Sequence, residues 1–348
     1  MSEIPGTGLR LLSFDGGGFR GLSSLYILKE IMQRIRRDEQ RDDIEPWQYF
    51  DMIVGTSMGG LIALMLGRLR MPINAVIEQY IKLTEKVLSE TKYSWQDGIF
   101  KATLLEEATK NIIHRYSEPR DKETLLLDTR PDSCKVFVCA MSAANMRASI
   151  PTHFRTFTAY ENVTPNCKIW EAVRATSADP KFFKRIKIQD MGLQIEYVDG
   201  GIGCNNPADR ILKEADRIFR GAHVACLISI GMGKGDVLKI PEPGLKENTI
   251  PLGTLDVLER IASDCEATHN QMGMRFQRFK RPDPDPGVYF RFNLDDVPDD
   301  AKQWVGLGHI RQNTEAFLNL ANISQRVDEA AKAIRRREPR VLLSDVAR

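Results

Sequence analysis

The sequence predicts an α/β fold with a mainly parallel, helix-covered central sheet. Two successive strand–glycine loop–helix units and several later short apolar runs carry that prediction. The first unit opens with Leu9–Phe14 (LRLLSF), which reads as a short buried strand stopped by Asp15-Gly16-Gly17-Gly18. Leu22, Leu25, Tyr26, Leu28, Ile31, Met32 and Ile35 then recur at helical spacing. The second unit runs from Phe50–Val54 (FDMIV) through Gly55–Gly60 into Leu61–Leu66, a stretch apolar all round and therefore a buried helix.

Further along, Val136–Met141, His153–Thr158, Gln194–Val198, Val224–Ile230 and Val288–Phe292 read as strands, and Arg281–Gly287 (RPDPDPG) as a turn-rich break. Residues 72–128 read as helical and more polar, with a loop at Ser94–Gly98, and are expected to cap a site. Ile310–Arg337 is helical and charged. These features predict a catalytic domain over 1–310, with 72–128 as its helical cap, and a C-terminal helical extension over 311–348. Charged helical sequence continues to the end without an obvious terminator, which suggests one domain of a longer protein.

Composition narrows the function classes. The 348 residues are ample for a buried core, and a net charge of +2 lacks the basic footprint of a nucleic-acid binder. Local basic runs at Arg34, Arg36, Arg37 and at Arg335, Arg336, Arg337 read as solvated helix faces, or as contacts for anionic lipid headgroups. The six cysteines form no C-x-x-C pair and several lie in apolar runs, as expected of reduced core thiols in a cytosolic protein. No signal-peptide pattern opens the chain, and no apolar run approaches the roughly 20 residues that span a bilayer. The expected location is cytoplasmic, and a lipid substrate would be met peripherally, from the water side.

Three glycine-flanked segments bear the chemistry. Gly-x-Ser-x-Gly occurs as Gly55-Thr56-Ser57-Met58-Gly59, between a predicted strand and a predicted buried helix. A nucleophilic serine on so tight a turn is held in a strained backbone conformation and needs small neighbours. The helix after it aims its N-terminal N–H groups at the reacting centre. Upstream, Asp15-Gly16-Gly17-Gly18-Phe19-Arg20-Gly21 exposes consecutive N–H groups to an anion. That anion is a tetrahedral acyl oxyanion or a phosphate, and a serine elbow one βα unit later favours the oxyanion. Arg20 either pairs with an anionic group or ties the loop down.

Serine needs a proton acceptor. Of His114, His153, His223, His269 and His309, a triad in α/β-hydrolase order would draw on His223, His269 or His309, and none of these sits in a glycine-rich strand-end loop. Tyr197-Val198-Asp199-Gly200-Gly201 instead puts a carboxylate at a strand end before two glycines. A plain Asp-Gly turn is the alternative.

The ordered boxes DGGGFRG, GTSMGG and YVDGG resemble the patatin-like phospholipase family. Ala175–Phe183 (ATSADPKFF), Asn205-Asn206-Pro207 and Ile228-Ser229-Ile230-Gly231 resemble further family segments, so the likeness covers roughly residues 8 to 235. Asp179 departs from the pattern, where a small residue is commoner. The resemblance implies a three-layer α/β/α fold, with a mainly parallel sheet between helices, and a Ser–Asp dyad without histidine, in which Ser57 is the nucleophile and Asp199 the base. Gly16, Gly17 and Gly18 then supply oxyanion N–H groups, with Arg20 in support and Met58 beside the nucleophile in the oxyanion and substrate-binding set. The implied substrate is a membrane or micellar phospholipid, and the implied reaction needs no metal and no cofactor. The acid-rich tract Asn293–Asp300 lacks the spacing of a calcium loop. Two alternatives stand beside this reading: a soluble Ser-His-Asp esterase, and a regulated effector module of an immune-type multidomain protein switched on by homo-oligomerisation. The wording of FRGLSSLYIL and of the NNP segment resembles fungal versions of the latter.

Overall fold

The structure, a computed structural model, describes residues 6–90, 99–144, 150–159, 165–190, 192–233, 264–281, 287–294 and 306–348. The Ser94–Gly98 loop, residues 282–286 of the turn-rich break and the acid-rich tract beyond Leu294 lie outside the described residues.

Among the described residues the sheet has nine strands: β1 (Leu9–Phe14), β2 (Met52–Thr56), β3 (Lys135–Ser142), β4 (Thr152–Arg155), β5 (Ile186–Asp190), β6 (Leu193–Asp199), β7 (His223–Ile230), β8 (Tyr289–Phe292) and β9 (Val341–Leu342). The run β3-β2-β1-β7-β8 is parallel throughout. β4 and β6 pair antiparallel with β3, β5 with β6, and β9 with β7. Every residue of β1 and β2 is buried. A strand covered on both faces shows an unbroken apolar run rather than alternation, and this is why both are visible in sequence.

Successive side chains of the sheet feed two separate cores. Leu12, Phe14, Ile53, Val136, Val138 and Ile228 face a larger core that contains α1 (Gly21–Glu39), α3 (Met58–Ala63), α4 (Ile73–Leu88), α5 (Ala102–Tyr116) and α6 (Ile169–Thr176); the short α2 (Pro46–Tyr49) lies at its edge. Leu9, Leu11, Met52, Val54, Phe137 and Leu227 face a smaller core with the helices Ala208–Ile218 and Cys265–Gln277. The expected three-layer arrangement is therefore present, its strands buried between helices on both sides. β5 is a strand that the sequence does not predict. It is an edge strand with one fully buried residue, Ile188, in a segment dense in Lys and Arg, so apolar patterning is weak there.

In the stretch expected to cap a site, α4 and α5 bury Tyr80, Leu83, Leu105, Ile112 and Ile113 in the larger core. The division at residue 310 falls inside the helix Gly306–Leu318. The chain beyond this helix is built into the same body: Ala321–Arg336 buries Val327, Ala330, Ala331 and Ile334, and β9 then pairs with the amino end of β7. Arg337 Nη2 lies 2.6 Å from Asp51 Oδ1, and Gly8 N–H donates to Arg337 O at 2.9 Å. The described cysteines are free thiols, five buried and Cys265 half-buried. Among the described residues no helix is long and apolar enough to cross a membrane.

Candidate active site

Ser57 stands between β2 and α3 with φ 55° and ψ −130°, a backbone region that costs a non-glycine residue about 1–3 kcal/mol. Its surroundings hold it there. Ser57 N–H donates to Thr176 Oγ1 at 2.9 Å, and the Thr176 hydroxyl donates to Cys139 O at 2.6 Å. The preceding Thr56 hydroxyl donates to Cys204 O at 2.7 Å. After the turn, Gly60 N–H and Leu61 N–H donate to Ser57 O at 2.9 and 3.3 Å. The small neighbours required by the motif are real packing needs: a Cβ on Gly55 would sit 2.1 Å from Gly59 O, and one on Gly59 2.3 Å from Asp15 O. That second approach presses the nucleophile turn against the start of the glycine loop.

Asp199 ends β6 and is 3% exposed. In register, Thr56 faces Cys139 and Asp199 faces Ala140, so Asp199 and the residue after Thr56 arrive at the same level of β3. Asp199 Oδ1 accepts the Gly201 N–H at 2.7 Å, and Asp199 N–H donates to Ala178 O at 3.1 Å. The carboxylate is thus oriented by its own Asp-Gly-Gly turn, as the two glycines suggest.

Asn205 links the pieces. A Cβ on Gly16 would lie 2.1 Å from Asn205 Oδ1 and 3.4 Å from Ser57 Cβ, and one on Gly201 would lie 3.2 Å from Asp199 Oδ1 and 3.4 Å from Asn205 Oδ1. Ser57, Gly16, Asn205, Gly201 and Asp199 therefore form one contiguous cluster, drawn from four of the segments singled out in sequence.

The glycine loop is narrower as an anion site than expected. Gly16 N–H already donates to Asn205 O at 2.8 Å, so it is not one of the amides aimed at an anion. Gly17 and Gly18 open a short 3-10 turn, Gly18–Arg20, where the first N–H groups have no acceptor within the turn. Met58 opens α3 in the same way, directly after Ser57. Tyr80 OH donates to Gly18 O at 3.1 Å. Arg20 Nε donates to Gly17 O at 3.3 Å, a tie on the loop itself.

The histidines are placed elsewhere. His114 Nδ1 lies 3.1 Å from Arg120 O at an exposed helix end, and His153 Nδ1 lies 3.1 Å from Glu214 Oε2 in the smaller core's wall. His269 Nδ1 lies 3.1 Å from Tyr289 OH. His223 is exposed at the amino end of β7, the end away from the Ser57 turn, and His309 is exposed on the helix Gly306–Leu318. Among the described residues no group of three or more His, Cys, Asp or Glu side chains is placed to hold a metal ion.

Sequence reasoning assigns no part to Thr176 and Asn205, although both lie in the quoted ATSADP and NNP segments. It misses Arg291 on β8 altogether. Arg291 Nη2 lies 2.6 Å from Asp15 Oδ2, and both side chains are almost fully buried. Burial pushes the Asp15 carboxyl up from its ordinary range, against the pull of Arg291.

Comparison with known proteins bears on the family of the chain. The family described as patatin-like phospholipase matches residues 12–212, more than half of the 348. Calcium-independent phospholipase A2-gamma of Homo sapiens is 27% identical over 355 aligned residues, covering 93% of this chain and 41% of that protein. Phospholipase A I of Arabidopsis thaliana is 27% identical over 84% of this chain and 25% of its own length. The cGAMP-activated phospholipase of Escherichia coli is 28% identical over 60% of this chain and 56% of its own. The chain thus spans about two-fifths of the human relative's length and a quarter of the plant one's. Taken with the glycine loop, the Ser57 turn and the Asp199 strand end in one cluster, the match places this chain in the patatin-like phospholipase family.

Proposed function

We propose that this chain is a lipid acyl-hydrolase that releases fatty acids from glycerophospholipids or similar esters with a Ser57–Asp199 dyad. The observation that supports this most is the convergence of a strained serine turn and an oriented, buried carboxylate at one level of β3. In this reading Asp199 accepts the Ser57 proton as Oγ attacks the ester carbonyl, and the oxyanion is met by the N–H groups of Gly17, Gly18 and Met58. Collapse expels the alcohol, which takes its proton from Asp199 and leaves an acyl-serine. Asp199 then activates water, which releases the fatty acid and restores the serine. Arg20 acts here through the loop backbone, holding Gly17 O.

The test is mass-spectrometric product analysis on mixed phospholipid vesicles. Ser57→Ala and Asp199→Asn should each remove fatty-acid release, while activity that survives both changes rules out the dyad. A second reading concerns regulation. One relative is named a cGAMP-activated phospholipase, and this chain covers only part of each quoted relative. A specific activity that rises with protein concentration would favour an effector switched on by self-assembly, and full activity at high dilution would count against it.

A further inference from the structure

Behind the glycine loop lies a buried polar cluster whose members other than Asp15 lie beyond the family match, which ends at residue 212. Its centre is Arg291. The guanidinium donates to Asp15 Oδ2 at 2.6 Å, to Ser229 Oγ at 3.0 Å and to Glu266 Oε1 at 3.2 Å. These acceptors come from the residue after β1, from β7 and from the helix Cys265–Gln277. Asn293 extends the cluster, donating to Glu266 Oε1 at 3.0 Å and accepting the Gly233 N–H at 2.8 Å.

Both edges of the glycine loop are reached from this point. Asp15 is the loop's first residue, and its carbonyl is the atom against which Gly59 packs. On the other edge, a Cβ on Gly231 would lie 2.9 Å from Arg291 Nη2, and the next residue, Met232, packs against Gly17: a Cβ there would meet Met232 Cβ at 2.7 Å. One cation therefore fixes both the residue that starts the loop and the segment that backs it.

A buried ion pair is a poor source of net stability, because apolar groups of the same volume often serve as well. What it supplies is direction. A planar guanidinium serves three acceptors at fixed angles, which neither Lys nor Met can do. We propose that Arg291 is a positioning residue, which holds Asp15 and the Gly231–Gly233 turn so that the Gly17 and Gly18 N–H groups stand where the developing oxyanion of Ser57 chemistry forms. This inference rests on the acyl-hydrolase reading.

The experiment uses the full chain with Arg291→Met, Arg291→Lys and, as a control for disturbing a buried arginine–carboxylate pair elsewhere, Arg155→Lys. Steady-state hydrolysis of a soluble p-nitrophenyl ester is measured beside the affinity for a trifluoromethyl ketone, whose serine adduct carries the oxyanion. Arg291→Met should lower kcat about 100-fold with KM within about twofold, since a misplacement of about 1 Å is enough for such a loss. The ketone affinity should fall by a similar factor, and Arg291→Lys should recover part of both. Arg155→Lys should lower the melting temperature and leave kcat and ketone affinity in place. Folded Arg291 variants with wild-type kcat and ketone affinity would overturn the inference. If Arg291→Met does not fold, Arg291→Lys and Ser229→Ala decide on the same readouts. A wild-type chain that neither hydrolyses the ester nor takes up a fluorophosphonate at Ser57 would sink the hydrolase reading and this inference with it. An active wild type beside unaffected Arg291 variants would sink the inference alone.

Discussion

Two of the buried arginine–carboxylate pairs, Arg155–Glu214 and Arg291–Asp15, are built differently. Arg155 on β4 meets Glu214 through two nitrogens, Nε to Oε1 at 2.5 Å and Nη2 to Oε2 at 2.9 Å, and His153 adds a contact to Oε2 at 3.1 Å. These contacts join one strand to one helix. Arg291 meets both Asp15 and Glu266 through one nitrogen, Nη2, and Ser229 through Nη1. The carboxyls report the difference. Burial pushes Glu214 up, but His153 and Arg155 outweigh it and hold Glu214 down at about 2. At Asp15 burial wins over Arg291, and the carboxyl is pushed up. The first pair fastens two elements; the second spreads one cation over three elements next to the glycine loop.

The largest stability effect is expected at the first pair. Arg155→Met strands a buried carboxylate and should cost about 3–5 kcal/mol in urea unfolding, with most of the loss recovered when Glu214→Leu is added. If the single and double variants are equally unstable, the pair is not the source of the loss.

The next test uses pH. Glu214 has a folded-state value below its unfolded one, so its contribution is complete above about 4.5 and is lost as pH falls toward about 2. That contribution is of order 3 kcal/mol. Asp15 has the opposite sign: its folded state favours the proton, so its contribution declines as pH rises from its unfolded value of 3.8. Unfolding free energies at pH 3 and pH 7 should show Glu214→Gln flattening the acid loss and Asp15→Asn steepening it. Slopes of the same sign in both variants would erase the distinction between the pairs.

A smaller change is expected at Thr176, which joins Ser57 N–H to Cys139 O. Thr176→Val removes the acceptor of a buried N–H and should cost about 1–3 kcal/mol of stability, with kcat down about 10-fold. Thr176→Ser should restore most of both. Smallest of all, His223→Ala, His269→Ala and His309→Ala should each leave kcat within about twofold. A large loss from one of them would revive the triad alternative.

The parts of the site that can be read in sequence are those whose chemistry is local. Ser57 and Asp199 each sit beside glycines at a strand end, and the strands before them have patterns of their own. The glycine loop is legible as a loop that exposes amides, but not the orientation of each amide. That Gly16 turns to Asn205 depends on a residue far along the chain. Arg291 leaves no local mark, because its partner Asp15 is 276 residues distant and an arginine in YFRF reads like any edge-strand charge. The helical C-terminal region is visible, but its incorporation is not. β9 is two residues long, and only the pairing with His223 and Val224 reveals it as a strand.

That short strand also fixes which way the molecule is held. Gly8, Arg337 and β9 gather at the amino ends of β1 and β7, whereas Ser57 lies past the carboxyl end of β2, which runs parallel to β1. A six-residue strand separates these poles by roughly 20 Å. Immobilising the chain at the pole that holds Gly8 and β9 would therefore leave the Ser57 pole pointing outward, free to meet a vesicle in the flow.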